Sequence, residues 1–132
     1  MFEKKFAKAR NSKTRGDIGM GAAIAWATAN EYTVSIPLTD SQDYDLIIDN
    51  GKPLRVQIKT TKYKEKSGNY TAALRTNGGN RSGFGKTKFF DKSKVDAVFI
   101  LCENGDMYLI KSSIIHSKNA ITMSAKMKKF KI

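Results

Sequence analysis

The sequence predicts an α/β (α+β) fold in which an N-terminal helix packs on a mixed, largely antiparallel sheet. Three observations carry this expectation. Apolar residues recur at helical spacing only near the N-terminus, through Ile18, Ala22, Ala25, Trp26 and Ala29. Short alternating segments follow, two of them broken by the turn dipeptides Asn50-Gly51 and Asn104-Gly105. The chain has 132 residues, 40% of them hydrophobic, enough for one core and one domain. Residues 1–132 are therefore read as a single domain, with basic extensions at 1–12 and 119–132.

Ser12 or Thr14 can cap a helix running to about Asn30, with Asp17 near its positive end. Gly16, Gly19 and Gly21 weaken that helix by propensity and so mark a place where another backbone or a ligand approaches closely. The segment TVSIP (33–37) is a short strand stopped by Pro37. YDLIID (44–49) and LRVQIKTT (54–61) alternate on either side of Asn50-Gly51 and form a hairpin. YTAALRT (70–76) is expected as one strand, and VDAVFILC (95–102) and MYLIK (107–111) as a second hairpin. Residues 77–94 have no apolar periodicity and read as a loop, and a short helix is expected from Ser112 to Lys118.

Twenty-four Lys and Arg against twelve Asp and Glu give a net charge of +12, which favours a polyanionic partner. The charge is uneven. Residues 16–51 hold six acids and no Lys or Arg, whereas residues 52–94 hold twelve basic side chains against Glu65 and Asp91. An acidic block inside a basic chain suits a cation, although it is equally a solvated acidic face. Cys102 stands alone, excluding an internal disulfide or a cysteine-based zinc site. No apolar run approaches the ~20 residues of a membrane span, and MFEKKFAKAR lacks a signal-peptide core. An intracellular, cytoplasmic protein is expected.

The central hairpin holds the chemistry. Leu46 and Ile48 share one face of the first strand; Asp45, Ile47 and Asp49 share the other. On the second, Leu54, Val56 and Ile58 oppose Arg55, Gln57 and Lys59. If both apolar sets face the core, Asp45, Gln57 and Lys59 come together on the opposite side. Opposed residues lie on one side of a hairpin, so the loop must hold an odd number of residues; three, with Gly51 left-handed, meets the condition. A carboxylate and a carboxamide oxygen are hard ligands suited to Mg²⁺ or Mn²⁺ beside a phosphate, and a nearby lysine can orient or deprotonate water. The same face also reads as acids and lysines pairing across strands.

The run QDYDLIIDNGKPLRVQIKTT resembles the PD-(D/E)XK nuclease signature, an Asp on one strand and an acid-x-Lys on the next, here with Gln57-Ile58-Lys59 as a Q-x-K variant. With GDIGMGAAIAW before it and Pro37-Leu38 between, residues 12–112 are similar to the group I intron-associated, homing-type PD-(D/E)XK endonucleases. The resemblance implies a restriction-endonuclease-like core and metal-dependent, site-selective cleavage of double-stranded DNA by a homodimer or homotetramer. It implies Asp45 and Gln57 as metal ligands with the Ile58 carbonyl, and Lys59 as the catalytic lysine. Met20 stands where many members carry a helix Glu; Asp17, one turn earlier, either replaces it or serves the helix start. Gln42 and Asp43 are supporting partners or turn formers.

Arg55, Lys62, Arg75, Arg81, Lys86 and Lys88 are the candidate DNA contacts. Residues 80–87, NRSGFGKT, end like a phosphate-binding P-loop but lack its first Gly and the following helix, which excludes that reading. Phe84, Phe89 and Phe90 either wedge bases or fill a core. His116 has no second ligand nearby, Cys102 reads as core, and the KMKKFKI tail is a phosphate-binding arm or a solvated end. Two rivals remain: a Holliday-junction-type resolving nuclease, and a DNA-binding module whose metal site has decayed.

Overall fold

The computed structural model describes residues 2–77 and 87–132. It opens with a helix that the sequence did not announce, α1 (Phe2–Ala7), within the segment read as a basic extension. Phe6 is 2% exposed and Phe2 packs against the same helix-side cluster, so two aromatics anchor this charged turn. The principal helix, α2 (Ser12–Ala29), is capped by Asn11 rather than by Ser12 or Thr14. The Asn11 Oδ1 accepts the Thr14 amide at 3.0 Å. Asp17 consequently lies beyond the first turn, which holds no acid, and gives no N-terminal dipole contact.

The buried face of α2 is Gly19, Ala22, Ala23 and Ala27, whereas Ala25 and Ala29 are exposed. These small residues bring the helix close to the sheet. A Cβ added at Gly19 would meet the Thr60 methyl at 2.6 Å and the Ile58 γ-methyl at 3.2 Å. At Gly16 and Gly21 it would meet nothing within 4 Å. Of the three glycines, Gly19 alone answers the close approach inferred from the sequence, and what approaches is the protein's own sheet.

The strands, in chain order, begin with β1 (Thr33–Ser35), β2 (Leu46–Asp49), β3 (Pro53–Thr61) and β4 (Thr71–Ala73). They continue with β5 (Thr76–Asn77), β6 (Thr87–Lys88), β7 (Ala97–Cys102), β8 (Met107–Lys111) and β9 (Ala120–Thr122). Five of them form the main sheet in the order β1-β2-β3-β7-β8. Only the central β3–β7 pair is parallel, so the sheet is mixed and largely antiparallel, as the sequence predicts.

Between β2 and β3 the register pairs Leu46 with Val56 and Asp49 with Pro53. That leaves the three-residue loop Asn50-Gly51-Lys52 demanded by side-chain parity, with Gly51 at φ +107°.

Both faces of the sheet are covered. Leu46, Ile48, Val56, Ala97, Phe99 and Leu101 pack under α1 and α2. Val98, Ile100 and Cys102 face the other way, onto Leu74, Phe90, Ile110, Ile115 and Met123. Every residue of β7 is buried, which is why its sequence is a continuous apolar run.

The second layer departs most from expectation. YTAALRT is not one strand: the amides of Leu74 and Arg75 both turn to the Asn119 carbonyl, at 2.8 and 3.2 Å, and break it into β4 and β5. The helix expected at 112–118 is a single 3-10 turn, Ser112–Ile114, ended where Ile115 becomes extended. Residues 119–132 are not a free arm. There β9 pairs with β4, a 3-10 helix spans Ala125–Phe130, and the Ile132 amide bonds the Met107 carbonyl at 2.9 Å. Among the described residues no helix is long and apolar enough to cross a membrane.

Candidate active site

The site forms where β2 runs out. The Asp45 amide makes a last backbone bond to the Val56 carbonyl at 2.9 Å. Its side chain then takes the position of the next rung: Asp45 Oδ2 accepts the Ile58 amide at 2.6 Å. Gln57 follows Val56, the partner of Leu46 at the end of the ladder, and lies on the face turned away from α2. Its Nε2 donates to the Asp43 carbonyl at 3.2 Å. Its Oε1 is buried with no hydrogen-bond partner among the described residues. An orphaned buried acceptor costs about 1–3 kcal/mol and calls for a partner.

Asp45 and Gln57 line a pocket of about 200 Å³ together with Asp43, Leu74, Lys88 and Phe90. Lys59 follows two residues along the same face of β3. Burial raises the Asp45 pKa, against the lowering effects of the Ile58 amide and the Lys59 charge. Burial lowers the Lys59 pKa, and the Asp45 charge opposes this only in part. Lys59 does not itself line the pocket, but burial pushes both groups towards their neutral forms. A cation in the pocket would reverse that bias for Asp45.

Among the described residues no three His, Cys, Asp or Glu side chains gather as a metal-binding group. The donor set is instead one carboxylate and one orphaned carboxamide oxygen. Both are hard oxygen donors, so the residues present fit a cation of the Mg²⁺ type, which keeps several waters and shares substrate phosphate.

The other expected residues divide. Asp17 is exposed and two positions from Gly19 on α2, so it points away from the sheet and does not join Asp45. Met20 packs in the helix-side cluster, across the sheet from Gln57. Arg55, an expected DNA contact, is committed within the chain. Its Nε and Nη2 fork onto Asp96 at 3.0 and 3.1 Å, tying β3 to the entry of β7. Lys88 pairs with Asp43, and Lys94 Nζ lies 4.0 Å from the other oxygen of that carboxylate. Asp43 therefore holds Gln57 through its carbonyl while its side chain is engaged by lysines. Gln42 bonds Thr39 and is a turn former.

Lys62 and Arg75 are exposed and line a separate cleft of about 420 Å³. Arg15, overlooked in the sequence, lines it as well; its signal was its place in the basic N-terminal run. Phe90 is core, while Phe89 is 53% exposed at the pocket rim. Arg81, Phe84 and Lys86 lie outside the described residues. His116 is exposed, and Cys102 is buried, its thiol pushed up to about 12 chiefly by that burial.

The model of the PD-(D/E)XK endonuclease family matches residues 10–131. The chain belongs to the PD-(D/E)XK endonuclease family. Its fold is similar to that of a bacterial homing endonuclease, I-Ssp6803I, at a TM-score of 0.72 and 27% identity, over 86% of this chain and 78% of that one. No curated protein matches the chain.

Proposed function

We propose that this PD-(D/E)XK chain is a divalent-metal-dependent endonuclease that hydrolyses double-stranded DNA at a specific site, in the manner of a homing endonuclease. The observation that carries the reading is the orphaned Gln57 Oε1, buried in the pocket that Asp45 lines. Asp45 Oδ1 and Gln57 Oε1 are the groups that would hold Mg²⁺ or Mn²⁺. The Ile58 carbonyl joins them, because in an extended strand it lies on the same edge as the Ile58 amide that faces Asp45. When bound, such an ion polarises a phosphate and acidifies water.

The chain's own residues do the rest. The Ile58 amide fixes the Asp45 carboxylate, and the Asp43 carbonyl fixes the Gln57 amide so that Oε1 faces the pocket. Lys59, held towards its neutral form by burial, accepts a proton from the water that attacks phosphorus as the opposite P–O ester bond breaks and its oxygen takes a proton from solvent, and Lys62 and Arg75 engage backbone phosphates. A small chain covers little DNA alone, so a homodimer or homotetramer reading two half-sites accompanies this reading.

The test is cleavage of plasmid and randomised-library DNA in Mg²⁺ or Mn²⁺. Lys59→Ala should lower the rate by about 10²–10⁴-fold. Asp45→Asn should do likewise while keeping the fold, since a carboxamide oxygen still accepts the Ile58 amide. A Lys59→Ala protein that cuts at the parent rate would sink the proposal. One observation favours a second reading, a DNA-binding module with a decayed site: no three His, Cys, Asp or Glu side chains gather among the described residues. It predicts tight, salt-sensitive binding with no cutting in either metal.

A further inference from the structure

Three cations converge on the 420 Å³ cleft at the end of β3: Arg15 from the first turns of α2, Lys62 just after β3, and Arg75 just after β4. No acid lines this cleft, and none of the three has an ion-pair partner among the described residues. Three of the other cations are engaged: Arg55 by Asp96, and Lys88 and Lys94 by Asp43.

The backbone under the cleft is built. Thr61 Oγ1 donates to the Thr71 carbonyl at 2.5 Å and accepts the Tyr63 amide at 3.2 Å, which pins Lys62 between them. The Leu74 and Arg75 amides are held by the Asn119 carbonyl at 2.8 and 3.2 Å. Ser12, in the acid-free first turn of α2, adds the positive end of an eighteen-residue helix. Like charges gathered without a counter-charge repel one another, and an anion relieves that repulsion.

The distance to the chemistry is short. Lys59 and Thr61 share a face of β3, and two residues of strand span about 6.6 Å. Each strand of duplex DNA advances about 3.4 Å along its axis per phosphate. We infer that this cleft seats the two or three backbone phosphates within a few nucleotides of the attacked one, with Arg15, Lys62 and Arg75 as their positioning residues. The inference rests on the nuclease reading and adds to it the place where the flanking backbone is seated.

The experiment measures binding of a fluorescein-labelled 20-base-pair duplex by anisotropy in EDTA, across a salt series. Each phosphate contact adds about 0.9 to the slope of log K against log salt. Arg15→Gln/Lys62→Gln/Arg75→Gln keeps the side-chain stems and should lower that slope by about 2 to 3. The control, Lys111→Ala/Lys126→Ala/Lys128→Ala, removes the same charge from exposed positions outside the cleft and should lower it by less than about 1. Equal losses in the two triples, or no loss in the first while its melting temperature matches the parent, would overturn the inference. Failure of the nuclease reading looks different: Lys59→Ala would cut like the parent, with the slopes untouched.

Discussion

Gly19 and Gly21 offer opposite outcomes for the same substitution on the same helix. Replacing a helical glycine by alanine gains about 0.8–1 kcal/mol from backbone entropy alone. At Gly21 nothing lies within 4 Å of the added methyl, so Gly21→Ala should keep that gain, raising the melting temperature by roughly 3–5 °C in a chain of this size. At Gly19 the methyl would sit 2.6 Å from the Thr60 methyl and 3.2 Å from that of Ile58. Carbon atoms are at ease at about 3.5–4.0 Å. Both neighbours are β-branched and stiff at χ1, so they yield only by moving β3 or α2. Overpacking of this kind costs about 1–3 kcal/mol, which exceeds the propensity gain.

Gly19→Ala should therefore forfeit that gain and lose up to about 2 kcal/mol net. Because Ile58 and Thr60 flank Lys59, it should also slow DNA cleavage more than the stability loss explains. Urea melts of both variants and single-turnover cleavage on plasmid DNA give the readouts. A Gly19→Ala protein as stabilised as Gly21→Ala would refute the reasoning, since helix propensity would then outweigh the contact with β3.

Three further outcomes follow from the same structure. The Arg55 fork holds the Asp96 pKa below the ordinary carboxylate value, so the unfolded chain binds its proton first as pH falls. The contribution is present above about pH 4 and is lost on acidification through the folded pKa; pH-dependent melts of Asp96→Asn should lack that part of the parent's acid sensitivity. Phe6→Ala should destabilise by about 3–5 kcal/mol, read in urea, because Phe6 is 2% exposed in the helix-side core; a loss near zero would show that α1 is a loose arm. Cys102, buried and with its thiol at about 12, should resist iodoacetamide at pH 8 until the protein unfolds, and rapid native-state labelling would contradict the packing of β7.

What was legible in the sequence depended on how local its cause was. The β2–β3 hairpin could be read residue by residue because alternation, parity and a positive-φ glycine are all short-range, and Asp45 and Gln57 do come to line one pocket. The parallel pairing of β3 with β7 was not legible, since a fully buried strand such as Ala97–Cys102 carries no periodicity to reveal its partner. Nor was the fate of Arg55: its partner Asp96 is 41 residues away, and a basic residue on a strand looks free until the sheet is assembled. The helix stripe was rotated for a similar reason. Alanine is apolar on every face, so only packing decides that Ala23 and Ala27 go in while Ala25 and Ala29 stay out. The break at Leu74 was imposed by Asn119 from the far end of the chain.

The bond from the Ile58 amide to Asp45 Oδ2 makes one side chain part of the backbone ladder. Each carboxylate oxygen thus has its own duty, one closing the strand pair and the other facing the pocket. Alanine at position 45 would remove both at once and confound misfolding with lost chemistry, whereas asparagine separates them. The coupling also runs the other way: a slip of β2 by one residue would carry the carboxylate to the helix side of the sheet. Assembly of the hairpin in its correct register and assembly of the pocket that Asp45 and Gln57 line are therefore a single event.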